Sequence, residues 1–197
     1  MEHKLIVSAS PHLRSGATTQ KIMLDVLIAL APAAVASVIL FGPKALLLIV
    51  LCMACCVLCE YLCRRVMKRD NTIMDLSAAV TGLLLALNLP VSINPLIAVF
   101  GCLAAIIVVK QMFGGIGQNF VNPALTARII LMTSFPSRMT TWTAPFAYLN
   151  GTDGATTATP LALSAQGATD SLPSYLDMFL GVRGGCLGET CTLALLL

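Results

Sequence analysis

Apolar residues recur in five long runs, at 23–42, 45–63, 73–89, 95–113 and 123–135. A helix that crosses a bilayer needs roughly 20 apolar residues, so each run is expected to form a membrane-spanning helix. The breaks between them carry turn chemistry. Gly42-Pro43-Lys44 interrupts the first two runs with a residue that cannot continue a helix. Leu89-Pro90-Val91-Ser92-Ile93-Asn94-Pro95 is a short turn between the third and fourth. Asn122-Pro123 opens the fifth with a cap residue and a proline at the first helical position. Residues 136–174 are rich in Thr, Ser, Pro and Gly and read as a long loop, and the apolar pattern resumes at Tyr175. The pattern predicts an all-α, polytopic membrane protein with about six transmembrane helices. Its parts are a polar N-terminal segment (1–22), a five-helix region (23–135), the loop (136–174) and a last segment (175–197).

Composition agrees with the pattern. Of the 197 residues, 57% are hydrophobic and 11% charged, against roughly 25% charged in an ordinary soluble domain. The mean hydropathy is +0.88. The net charge of +3 comes without a basic patch interleaved with aromatics, which argues against nucleic acid as a partner. The first 22 residues are too polar and mixed for a cleaved secretory signal. Lysine and arginine placement sets the orientation. With the N-terminus in the cytoplasm, Lys4, Arg14, Lys21, Arg64, Arg65, Lys68, Arg69 and Lys110 fall inside, and only Lys44 and Arg138 lie in outer loops. The loop 136–174 is then expected on the outer face. The final run, 187–197, rises only about 16 Å as a helix, half of a ~30 Å hydrocarbon core. No cap or charge closes it, so the chain is expected to be C-terminally truncated.

The outer loop contains Asp153-Gly154-Ala155-Thr156-Thr157-Ala158-Thr159-Pro160-Leu161. This segment resembles the threonine-flavinylation motif: an Asp, then Ser or Thr, a small residue, Ala and the acceptor Thr. The resemblance implies that a flavin transferase moves FMN from FAD onto the Thr159 hydroxyl as a phosphoester, with Asp153 and Thr156 in the recognition positions. Thr157 stands where the motif usually has Gly. Ser15-Gly16-Ala17-Thr18 matches the motif core more closely, but His12 occupies the Asp position and the segment lies on the expected cytoplasmic side. Gly167-Ala168-Thr169 has Leu163 at that position.

Three further stretches carry a wider resemblance. Ser10-Pro11-His12 with Thr18-Thr19 and Ile22–Leu30 is similar to the entry to the first helix in the RnfD family, the D-type subunits of Rnf electron transport complexes. Gly114-Gly115-Ile116-Gly117-Gln118-Asn119-Phe120-Val121-Asn122-Pro123-Ala124 resembles its Gly-rich turn and Asn-Pro helix start. Gly184-Gly185-Cys186-Leu187-Gly188-Glu189-Thr190 resembles its Gly-Glu segment. The NqrB component of the sodium-pumping NADH:quinone reductase is a related protein. The resemblance implies a 5+5 inverted repeat like that of urea transporters, of which this chain would hold the first half and the start of the second. It also implies a bacterial inner-membrane component of an ion-translocating oxidoreductase, passing electrons between ferredoxin and NAD with transport of Na+ or H+. Its cofactor would be covalent FMN, with riboflavin as a further flavin. Its partners would be Rnf components of the A, B, C, E and G types, the flavin transferase and the lipid bilayer. The quinone reductase is the alternative redox function, and a small-solute channel of the same architecture is the alternative outside redox chemistry.

Other residues have chemistry of their own. Gly114, Gly115 and Gly117 allow close backbone approach by a flat ligand, and Gln118, Asn119 and Asn122 offer amides suited to an isoalloxazine edge. An ordinary turn explains the same residues. Gly115, Asn119 and Asn122 are therefore cofactor-binding candidates. Asp25 and Asp75 lie near the inner ends of the first and third runs. Acids there are candidates for an ion path, with a solvated helix start as the plainer account. Cys52, Cys56, Cys59 and Cys63 follow helical stripe spacing and read as packing thiols, so no metal site is assigned.

Overall fold

The computed structural model describes residues 16–149, 156–167 and 171–197. Two long helices set its frame. α1 (Thr19–Phe41) begins at Thr18, whose side chain accepts from the Lys21 N–H. It ends at Gly42, whose N–H bonds the Val38 carbonyl at 2.9 Å. α2 (Pro43–Val66) follows at once, with Pro43 in its first turn. At 23 and 24 residues, each rises about 35 Å, enough to cross a bilayer. Gly42 has φ +75°, and a Cβ there would strike the Tyr148 ring. Only glycine meets both conditions without strain.

α3 (Ser77–Leu87) is short but central. Ten of its 11 residues are buried, so it is apolar all round rather than striped. It packs closely on α2: a Cβ on Gly82 would lie 2.7 Å from the Cys52 carbonyl oxygen. Cys52, one of the cysteine stripe of α2, lies at this contact. Cys52 and Cys56 are fully buried, and Cys102 donates to the Cys52 carbonyl at 3.7 Å. These thiols fill the space between helices as small apolar groups.

α4 spans Pro95–Gln111 and starts at the Asn94 cap. Its last eight residues, Ala104–Gln111, are π-helical. α5 (Pro123–Ser134) starts at Asn122, whose side chain accepts from the Ala124 and Leu125 N–H groups. The expected caps at the fifth run are therefore present.

The region 136–174 is more structured than a long loop. It contains α6 (Pro136–Met139), the strands β1 (Trp142–Thr143) and β2 (Thr156–Thr157), and α7 (Pro160–Ala165). The strands pair antiparallel, Trp142 with Thr157 and Thr143 with Thr156. This small ladder departs from a purely helical expectation. Threonines on both strands favour it.

The last apolar stretch is not one helix. α8 (Tyr175–Leu180) stops at Gly181 with φ +95°, and α9 (Thr192–Leu196) begins eleven residues later. Between them the chain is irregular, and the bundle satisfies its backbone. The Leu187 and Gly188 N–H groups bond the carbonyls of Leu89 (3.2 Å) and Leu87 (2.8 Å), and Ser37 donates to the Leu187 carbonyl at 2.9 Å. Irregular backbone beside a membrane bundle is tolerated when protein supplies its partners.

The bundle has two distinct ends. Phe146 bonds Leu40, Tyr148 bonds Ile39, Ser92 bonds Thr141, and Leu187 bonds Leu89. These contacts gather the Gly42 turn, the 88–95 turn, the 136–149 segment and the 182–191 segment at one end. The chain from Arg64 to Ser77 and the Gly-rich turn after α4 lie at the other.

Candidate functional site

At the Gly42 end, Thr159 caps α7. Its Oγ1 accepts from the Ala162 N–H at 3.2 Å, and Pro160 takes the first helical position. This fixes the side chain in the lining of a cleft of about 260 Å³, together with Trp142, Pro160, Leu161, Arg183, Gly184, Gly185, Glu189 and Thr190. Gly184 is required here, because a Cβ would meet the Thr157 methyl at 2.5 Å. Close packing of the 182–191 segment on β2 thus shapes one wall. Thr156 is exposed in β2, opposite Thr143. Asp153 lies outside the described residues, as does Thr169.

The cleft is anchored to the bundle through charges. Arg183 donates to the Glu189 carbonyl at 2.8 Å. The Glu189 carboxylate pairs with Arg128 of α5 at 3.1 Å. Arg128 also donates to Asn88 at 2.6 Å and to the Cys186 sulfur at 3.3 Å. Burial pushes the Cys186 thiol up to about 12, so it meets Arg128 as a neutral acceptor.

A second constellation sits at the opposite end. Lys110 and Glu60 are 2% and 1% exposed and form an ion pair at 2.7 Å. Lys110 also donates to Ser77 at 2.7 Å. Glu60 accepts from Gln111 at 3.0 Å and from Thr72 at 2.9 Å. Separate parts of the chain therefore converge on one carboxylate. The π-helical stretch of α4 turns both Lys110 and Gln111 inward, and such distortions concentrate at functional positions. Arg64 is buried as well, with its guanidinium against Gly115; a Cβ on Gly115 would collide with Nη2.

Gly115 has φ +105° and is closely approached, by Arg64. With its amide nitrogen facing them, Asn119 donates to the carbonyls of Lys110 (3.3 Å) and Gly115 (3.1 Å), closing the end of α4. Asn122 caps α5. Asp25 is exposed on α1. Asp75 is half-buried in the 3-10 turn Ile73–Asp75, two residues before Ser77 of the buried cluster. By sequence, Lys110 and Arg64 belong with the charges at inner helix ends. The structure adds that both are inside the protein, whereas Arg65, Lys68 and Arg69 are exposed. Glu60 carries little local signal of its role. Its one signal is its register, four residues beyond Cys56 on the same buried stripe of α2.

The sequence model of the NQR2, RnfD, RnfE family matches residues 6–197. This chain belongs to that family. The Gly-rich turn and the Gly-Glu segment thus sit in a chain whose kinship is shown over nearly its whole length. Among NQR2, RnfD, RnfE relatives, the D-type subunit of a Na+-translocating ferredoxin:NAD+ oxidoreductase complex from Acetobacterium woodii is 48% identical over 198 residues. That match covers 100% of this chain and 61% of the relative. The D-type subunit of a proton-translocating ferredoxin:NAD+ oxidoreductase complex from Clostridium ljungdahlii is 43% identical over 199 residues, covering 97% and 60%. The D-type subunit of an ion-translocating oxidoreductase complex from Stutzerimonas stutzeri is 38% identical over 208 residues, covering 91% and 59%. The chain spans about 60% of the length of these curated relatives.

Proposed function

We propose that the protein is the membrane subunit of an ion-translocating ferredoxin:NAD oxidoreductase and carries FMN esterified to Thr159. The observation that carries the flavin reading is the position of Thr159. Its hydroxyl stands on a helix cap, in the lining of a cleft furnished with an indole and a guanidinium. The residues fit such a group. Thr190 contributes a fully buried hydroxyl that has no partner among the described residues, and Gly184 and Gly185 keep one wall free of side chains. Bound flavin would supply one- and two-electron transfer, while the chain orients it and separates it from the bilayer. The names of the relatives favour ferredoxin and NAD over quinone chemistry. Partner components of the A, B, C, E and G types and a flavin transferase belong to the same proposal, in a bacterial plasma membrane. Peptide mass spectrometry of the assembled protein tests the cofactor: the Thr159 peptide should gain the mass of FMN less one water.

The Thr159 cleft is read as facing away from the cytoplasm. It lies at the end opposite Arg65, Lys68 and Arg69, and basic residues favour the cytoplasmic side. A reporter fused after Ser164 in α7 should be active only outside the cytoplasm. Cytoplasmic activity would reverse the orientation.

An ion path is proposed at the other end. Intramembrane charge is costly unless paired or used. Of the two acids named from sequence, Asp75 is the one beside the buried Lys110–Glu60 pair, through Ser77. Asp75→Asn is expected to reduce ion transport per electron transferred, with a smaller effect from Asp25→Asn. Normal transport in both variants, measured in vesicles containing the complex, rules this path out.

A further inference from the structure

We infer that Arg183 and Thr190 form a seat for the phosphodiester that joins FMN to Thr159, holding the linkage in the cleft rather than leaving the flavin on a free tether. This rests on the flavin reading above and goes beyond it, since attachment at Thr159 requires nothing of residues 183–190. A phosphodiester carries one negative charge and two strongly accepting oxygens. The cleft beside the Thr159 hydroxyl contains a guanidinium and a hydroxyl suited to both.

Two independent features point to a bound group. The first is Thr190, which is 0% exposed and whose Oγ1 has no hydrogen-bond partner among the described residues. A buried hydroxyl left unpaired is unfavourable, and a χ1 rotation that turns it towards a group seated in the cleft would relieve it. The second is the way Arg183 is held. Among the described residues its guanidinium makes one hydrogen bond, from Nη2 to the Glu189 carbonyl. A carbonyl leaves the guanidinium's charge uncompensated, whereas a carboxylate would neutralise it. The nearby Glu189 carboxylate is instead engaged by Arg128. Among the described residues, the cleft therefore keeps a cation beside Thr159 that its neighbours do not neutralise. Its volume of about 260 Å³ suits a linkage and part of a flavin, not a whole dinucleotide. In the transfer that loads it, the Thr159 Oγ1–P bond forms, the pyrophosphate bond of FAD breaks, AMP leaves and the hydroxyl proton is released.

The test uses the full-length flavinylated protein in its complex. Peptide mass first establishes that FMN is on Thr159 in the wild type and in each variant. Time-resolved fluorescence anisotropy then reports the ratio of freely tumbling to held flavin. Arg183→Gln should raise that ratio about tenfold, the scale of one lost charge-assisted hydrogen bond. Arg183→Lys should restore much of the held fraction, because it returns the charge without the planar fork. Thr190→Val should raise the ratio by a smaller factor. A purely structural role for Arg183, through the Glu189 carbonyl, predicts weakened assembly with unchanged flavin anisotropy. Unchanged anisotropy in a loaded Arg183→Gln protein overturns the inference. Should Arg183→Gln fail to load, Thr190→Val decides alone, and wild-type anisotropy there overturns it. A wild-type Thr159 peptide without FMN instead defeats the flavin reading and takes this inference with it.

Discussion

Lys110→Met in the full-length protein is expected to be destabilising by about 3–5 kcal/mol, the scale of breaking a buried ion pair from one side. Methionine fills similar volume, so the loss is electrostatic rather than a cavity. Glu60 would keep its bonds to Gln111 and Thr72 but lose the ammonium at 2.7 Å, inside protein and away from water. Ser77 would lose its donor too. The buried thiols provide the measurement. Cys52, Cys56 and Cys102 are 0% exposed, so a thiol-reactive dye labels them only as the bundle opens on heating. The labelling transition should move sharply down in Lys110→Met. It should largely recover in the double variant Lys110→Met with Glu60→Gln, which leaves no unpaired charge. A Lys110→Met protein that melts with the wild type would show that Glu60 finds water or another cation, and the pair would not be holding the inner end.

Thr159→Val is expected to remove covalent flavin entirely. Valine keeps the branched shape but has no oxygen to form the ester. The change also deletes the cap bond to Ala162, at roughly 1 kcal/mol. That loss is confined to a six-residue helix at the periphery. Thr159→Ser keeps both the cap and the nucleophile and should retain the flavin. Thr18→Val removes an equivalent cap bond, to Lys21, and should leave flavin loading unchanged. Asp153→Ala should weaken loading without removing the acceptor. Peptide mass spectrometry separates these outcomes. Flavin still attached in Thr159→Val, or found on the Thr18 peptide, would overturn the attachment site and the orientation together.

Much of the bundle is legible in the chain because its determinants are local. A proline that cannot donate and a glycine that can take positive φ separate α1 from α2. Asn94 and Asn122 each precede a proline and cap the helix that follows. The ends of the fifth apolar run match α5 closely for this reason. The ladder between β1 and β2 is not legible, since two residues per strand leave no alternation to detect. The breaking of the last apolar run is hidden too. Its glycines signal irregularity, but nothing near them reveals that Leu87, Leu89 and Ser37 will satisfy the irregular backbone.

Local sequence is enough to establish that the chain is a bundle of apolar helices, where most of those helices begin and end, its kinship, and one threonine in a recognisable motif. Each of these depends on neighbours within a few residues. Which charges are buried, and what stands beside Thr159, depend on how the helices pack. Glu60 and Lys110 are 50 residues apart, and each reads locally as an interfacial charge on an apolar helix. Arg183 and Thr190 become neighbours of Thr159 only when the 182–191 segment folds back onto the end of α3. Electrostatic partnership depends on distance in space, and local sequence patterns carry no information about that distance until the helices have packed.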